Sequence, residues 1–203
     1  MKSNVLTESD VRQVAQGSRI YLPPGTIVTP SARDLAAALN IEICRQTEQA
    51  ASRSIAVSAD HAGFEMKERL KAFLTELGYT SCDFGTYDKQ PVDYPDFAYQ
   101  VADAVSSGRF PRGIIVDGAG IGSCMVANKV PGVRAASCHD VATARNSREH
   151  NDANVLTLGA GSISPETMRE IVRVWLSTEV GAERHRRRVE KIMIIEKKFL
   201  ARA

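Results

Sequence analysis

Charge of one sign, paired cysteines and long apolar runs are all missing from this chain. Lysine and arginine number 26 against 24 aspartates and glutamates, a formal net charge of +2, so the overall field selects neither for nor against nucleic acid. Four cysteines, Cys44, Cys82, Cys124 and Cys138, stand apart, with no C-x-x-C pair and no spacing of metal-ligand type. Reduced, mostly buried thiols are expected, and no metal site. No apolar run approaches the roughly 20 residues that span a bilayer, and the stretch from Met1 to Asp10 has no secretory apolar core. Neither a membrane span nor an export leader is expected, and a cytoplasmic address follows.

What is present is an ordinary globular composition, 43% hydrophobic and 25% charged over 203 residues, enough for one domain with a small appendage. From Ser54 onward, short apolar runs alternate with amphipathic segments. Strands are expected at 54–58, 80–84, 113–117, 134–138 and 154–158, and helices at 64–77, 97–106, 121–129, 141–149 and 165–176. This alternation predicts an α/β fold, a doubly wound five-stranded parallel sheet of Rossmann-like type. A charged helix over 183–202, with Val189, Ile192, Ile195 and Phe199 on one side, is expected to pack on its own domain or on a sister subunit. The first fifty residues differ. Thr7-x-x-Asp10 resembles a capping box before a short helix, Pro30 opens a second one, and the piece is too short to own a large core. The expected division is therefore 1–50 and 51–203, joined near 46–53.

Ligands of such sheets bind beyond the carboxyl ends of the strands. Those ends carry Asp60-His61, Asp117-Gly118 and Gly159 to Gly161. The stretch VDGAGIGSCMVANK at 116–129 runs from a strand through a glycine-rich turn into a helix, an arrangement that offers backbone N–H groups to an anion. Asp60 reads either as the cap of the following helix or, beside His61, as part of a site. His150-Asn151, between a helix and the last strand, reads as a solvated loop or as an acid/base pair with a neighbouring amide. Arg184 and Arg188 lie four apart on a helix, where two guanidinium groups either share one phosphate or simply face solvent. No aromatic interleaving supports nucleic-acid binding there.

ADHAGFEMKERL, VDYPDFA, GAGIGSCMVANKVPGVRAA, REHNDANVLTLGA and RHRRRVEKI, in this order, resemble the ribose-5-phosphate isomerase B family, which includes the subunits of galactose-6-phosphate isomerase, over roughly 54–197. The resemblance implies an aldose-ketose isomerase with no metal and no cofactor, a homodimer or homotetramer whose sites are shared between subunits. It further implies that Asp60, His61 and Tyr94 line a sugar-phosphate site. Gly118, Ala119, Gly120, Ile121 and Gly122 would bind an enediolate through backbone N–H groups. His150 would assist ring opening, Asn151 would hold the sugar, and Arg184 and Arg188 the phosphate.

Departures from the family pattern fall at the chemistry. Asp117 stands where relatives carry a cysteine base, Ala119 where they carry Thr or Ser, Ser123 where some use Glu, and Gly161 where an arginine is usual. Asp117 is the expected base, with Cys124 as a lesser alternative. Two other readings follow: the A-type subunit of a heteromeric sugar-phosphate isomerase, or a catalytically silent sugar-phosphate-binding protein. The segment IYLPPGTIVTPSARDLAAALNIEI resembles the N-terminal piece of the ethanolamine-utilisation cobalamin adenosyltransferase and related segments of bacterial microcompartment proteins. That resemblance implies an assembly or targeting arm, with shell or cargo proteins as partners.

Overall fold

The structure is a computed structural model of the chain, and it describes residues 5–12, 14, 19–22, 25–45 and 52–201. Two compact units are present, Met1–Ser54 and Ile55–Ala203. Most of the joint expected near 46–53 lies outside the described residues, as do parts of the segments read as N-terminal helix and arm.

In the first unit β1 (Val5–Leu6) pairs in parallel with β3 (Ile27–Val28), and β2 (Arg19–Leu22) with β4 (Glu42–Arg45). The short α1 (Glu8–Arg12) is fixed where Thr7 donates its amide and hydroxyl to the Asp10 carboxylate at 2.8 and 2.6 Å. Thr29 accepts from the Ala32 amide at 3.2 Å and caps α2 (Pro30–Ala38), with Pro30 in the first turn as expected. Leu6, Val11, Leu22, Ala32, Ala36 and Ile41 are buried together, so this piece has a small core of its own. Its strands, two to four residues long, are too short to show an alternation that sequence periodicity can register.

The second unit runs β5 (Ser54–Ala59), α3 (Phe64–Glu76), β6 (Thr80–Asp83), α4 (Tyr94–Ser106), β7 (Arg112–Asp117), α5 (Ile121–Ala127), β8 (Ala135–Ser137), α6 (Val141–Asn151), β9 (Val155–Gly159), α7 (Pro165–Ser177) and α8 (Glu183–Leu200). Its five strands form one parallel sheet in the order β6-β5-β7-β9-β8. Alternate residues leave opposite faces of a strand, and the two cores follow that rule. Ile55, Val57, Ile114, Val116, Leu156 and Leu158 meet Leu70, Phe73 and Leu74 of α3 and Ile171, Val172 and Trp175 of α7. Ala56, Ile115 and Val155 meet Ala98, Val101 and Val105 of α4 and Ala127 of α5. Burial on both faces explains why these strands read as unbroken apolar runs.

Two boundaries bear on the site. Asp140 and Thr143 form a capping box that starts α6, and Asp152, in the left-handed region at φ 47°, ends it. His150 and Asn151, expected in a connecting segment, are thus the last two residues of a helix. The apolar side expected on α8 is not packed inward: Ile192, Ile195 and Phe199 are exposed. The helix is fastened instead by buried His185 and by Glu196, whose carboxylate accepts from the Gly132 amide at 2.9 and 3.0 Å. Among the described residues no helix is long and apolar enough to cross a membrane.

Candidate active site

At the carboxyl edge of the sheet, β7 delivers Asp117 into the glycine turn. The Asp117 side chain is buried, and its carboxylate folds back onto the turn. Oδ1 accepts from the amides of Ala119 (2.9 Å) and Gly120, and Oδ2 from the amide of Ser123 at 3.0 Å. The anion that the turn binds in this structure is therefore the chain's own. A carboxylate presents about four lone-pair sites; amides occupy three, and one on Oδ2 is left. The amides of Ile121 and Gly122, at the start of α5, have no acceptor among the described residues.

The turn is close-packed on main chain. Gly120 has φ +78°, and a Cβ on Gly159 would sit 2.6 Å from the main-chain carbon and oxygen of Ala119. A Cβ on Gly122 would meet the Tyr94 ring at 2.6 Å, so glycine here is what lets that ring lie on the turn. Gly161 donates its amide to the Gly118 carbonyl at 3.0 Å. On the neighbouring strand end, Asp60 is buried and accepts from the Gly63 amide at 2.8 Å, which closes the turn before α3; the helix's N-cap is Gly63 itself, without a side-chain cap, so Asp60 is not the helix cap that was one of its two readings. His61 is exposed, its Nδ1 3.2 Å from both the amide and the carbonyl of Val92. Asp60, His61, Tyr94 and residues 117–122 thus gather at one edge. Cys124 is turned toward the Ala135 carbonyl, 3.4 Å away, and burial pushes its thiol up, away from the thiolate a base requires.

His150, Asn151, Arg184 and Arg188 are elsewhere. α6 starts beyond the carboxyl end of β8 and runs back along the sheet for 11 residues, about 16 Å. His150 and Asn151 therefore lie at the amino edge, near the start of β9. The guanidinium groups of Arg112, the first residue of β7, and Arg148, two residues before His150, both lie over the Trp175 ring, 5.7 and 5.6 Å from its centroid. Arg148, buried, also donates to the carbonyls of Thr178 (3.2 Å) and Ala153 (2.7 Å) and to Asp152 at 2.7 Å. Sequence reasoning gave Arg148 no part, although it stands in the same motif as His150. The Gly181 amide donates to the Glu149 carbonyl at 2.8 Å, bringing the start of α8 against the end of α6. There the rings of His150 and His185 stack, centroids 4.1 Å apart and planes within 5°. Arg184 and Arg188, on the same turns of α8, are exposed. One chain thus carries the candidate residues in two groups at opposite ends of its strands.

A family model described as ribose/galactose isomerase matches residues 55–192. D-erythrulose-4-phosphate isomerase of Pectobacterium atrosepticum is 44% identical over 142 residues, covering 68% of this chain and 92% of the relative. Ribose-5-phosphate isomerase B of Escherichia coli is 40% identical over 146 residues, covering 72% and 98%. Among solved structures, the ribose-5-phosphate isomerase B of Clostridium thermocellum superposes with a TM-score of 0.71 at 47% identity, covering 72% of this chain and 99% of that one. The residues that the family model matches lie within the second unit. Fold and sequence agree, and the chain belongs to the ribose/galactose isomerase family as a sugar-phosphate isomerase.

Proposed function

We propose that the chain interconverts ribose 5-phosphate and ribulose 5-phosphate, or a closely related sugar phosphate, by proton transfer through an enediolate, at sites that two copies of the chain complete together. One observation carries the shared site: Asp117 and His150 lie at opposite edges of one sheet, about 16 Å apart along β7, too far to act on adjacent carbons. In this reading one copy supplies Asp60, His61, Tyr94 and the 117–122 turn. The second supplies His150 as acid, Asn151 for the sugar hydroxyls, and Arg184 and Arg188 for the phosphate. Ile121 and Met125, 56% and 64% exposed on α5 beside the turn, form an apolar face of the kind a partner copy covers. Transfer of a proton between adjacent carbons needs a base, a stabilised anion and no cofactor.

Mixing two single-site variants tests the arrangement. His61→Ala and His150→Ala are each expected to be nearly inactive, and after exchange of subunits about a quarter of wild-type activity should return by statistical assortment. A mixture no more active than its parts rejects the shared site.

The remaining lone pair on Oδ2 is the group assigned to the substrate proton. Asp117→Asn alone tests this poorly, since its amide would face the Ser123 N–H, a donor against a donor. Asp117→Cys, which places a titratable group where relatives carry a thiol, is the informative companion. Turnover in the Cys variant and none in the Asn variant supports the base; equal loss in both assigns the carboxylate to the turn alone.

That engagement of Asp117 by three amides also favours a second reading, in which the chain is the A-type subunit of a heteromeric isomerase or a silent sugar-phosphate binder. Robust turnover by the purified single chain removes the heteromer, and exchange of the substrate's C2 hydrogen in deuterium oxide removes the silent binder. For the first unit we propose an assembly or targeting role in a bacterial microcompartment. A reporter fused to residues 1–54 should enter shells; diffuse signal beside intact shells opposes it.

A further inference from the structure

The amino-edge group contains two residues that the reaction does not call for and that nonetheless determine how His150 is presented. Asn146 precedes His150 by one helical turn on α6, and Asn146 Nδ2 lies 3.0 Å from His150 Nδ1. An amide nitrogen is a donor only, so His150 Nδ1 must accept through its lone pair. In a neutral ring the proton is then on Nε2. Glu149 Oε1 lies 3.9 Å from that atom, beyond hydrogen-bonding distance, so the N–H is left for a ligand.

The second residue is His185. It is 3% exposed, and neither ring nitrogen has a hydrogen-bond partner among the described residues. A buried imidazole with both nitrogens orphaned is costly and calls for an explanation. Here the ring lies flat against His150. Burial, then the neighbouring His150, Arg184 and Arg188, hold its pKa below the usual histidine value, with Glu149 opposing. A neutral His185 serves as a plate that fixes the plane of the His150 ring without placing a positive charge 4.1 Å away. The attachment of Gly181 to Glu149 keeps the plate in place, and a Cβ on Gly181 would press on Glu149 Cγ at 2.9 Å.

We propose that Asn146 and His185 are positioning residues that hold His150 as its Nε2–H tautomer, poised to donate a proton to the ring oxygen of a cyclic sugar phosphate. The proton passes from Nε2 to the ring oxygen as the C1–O bond breaks, and the proton released by the anomeric hydroxyl is carried back to Nε2 through water, so the open-chain aldehyde forms and His150 ends as the neutral Nε2–H ring. This inference rests on the isomerase reading above. It predicts a division between substrates. A pentose 5-phosphate must be opened, whereas a tetrose 4-phosphate cannot close a five-membered ring, because its C4 oxygen carries the phosphate.

The test uses the full chain with 15N-labelled histidine. With only 4 histidines, long-range 1H–15N spectra resolve each ring, and His150→Gln identifies the signal. The wild-type protein should show a proton on Nε2 and a bare Nδ1. Asn146→Asp, on an exposed position of α6, replaces the donor by an acceptor and should move the proton to Nδ1 or charge the ring. It should lower turnover of ribose 5-phosphate about tenfold or more, with erythrose 4-phosphate changed less than about twofold. His185→Phe, which keeps a flat ring, should preserve tautomer and pH profile, and His185→Ala should shift the profile. A wild-type ring protonated on Nδ1, or an Asn146→Asp protein with unchanged tautomer, overturns the role of Asn146. Identical profiles for His185→Ala and wild type overturn that of His185. An Nε2–H signal in a protein that exchanges no substrate hydrogen sustains the tautomer and instead defeats the isomerase reading, so the two failures are distinguishable.

Discussion

The carboxyl edge and the amino edge of the same sheet are organised by different means. At the carboxyl edge the acids are satisfied by main chain: Asp117 takes three amides and Asp60 takes one. Glycines at 120, 122 and 159 let backbone and ring approach to distances no side chain would permit. At the amino edge the fastening is done largely by side chains, on one another and on main-chain carbonyls. His150 leans on Asn146 and His185, and Arg148 ties the end of α6 to the β9 and α7 segments. The first edge is close-packed on main chain. The second leaves a buried histidine without a hydrogen-bond partner among the described residues and two arginines exposed.

The sharpest challenge to this contrast is a methyl group placed under the turn. Gly159→Ala puts Cβ 2.6 Å from main-chain atoms of Ala119, and since neither strand nor turn can yield cheaply, a loss of about 3 kcal/mol is expected. Urea unfolding measures it, and a loss well under 1 kcal/mol would mean that the turn is softer than the packing implies. A smaller effect is expected at the amino edge from Arg148→Leu. The substitution keeps apolar cover for Trp175 but leaves the carbonyls of Thr178 and Ala153 without their donor, a cost of about 2 kcal/mol. Unchanged stability would show that water replaces the guanidinium.

The smallest effect concerns pH. Because the folded protein holds His185 below its ordinary pKa of 6.5, the unfolded chain binds the proton more readily. Stability is then complete above about pH 6.5 and declines as pH falls below it. His185→Phe removes that component, and by exchanging two orphaned nitrogens for carbon it should leave the protein at least as stable at pH 7 as before. Denaturation curves at pH 5 and pH 7 for both proteins measure the difference. An equal decline in both would assign the pH dependence to other groups.

Much of the fold was legible in the chain itself. The strands buried on both faces appear as compact apolar runs such as Gly113-Ile-Ile-Val-Asp117, and every helix of the second unit shows an apolar stripe or a cap within a few residues of its observed ends. The pairing of the four short strands of the first unit was not legible, because Val5–Leu6 or Ile27–Val28 is too brief to carry a period. Asp60 and Asp117 could be placed at strand ends from sequence. That Asp117 turns back to satisfy its own loop could not, since the same residues suit a carboxylate aimed at a ligand. His185 stood unremarked in a run of arginines, and its spacing to Val189 gave no guide to its burial, since the apolar residues further along that side are exposed.

By its own periodicity and its glycines, the sequence determined a parallel sheet with an anion-accepting turn at one edge and a basic helix at the end of the chain. Spacing along a chain says how far apart residues are in number, not which end of the sheet a returning helix reaches. The tertiary structure alone decided that His150 and Arg184 stand a strand's length away from Asp117, because α6 must run antiparallel to the strands it connects. It alone decided, too, that His185 loses its water and lies against His150, since burial is a property of the packed whole and not of any segment within it.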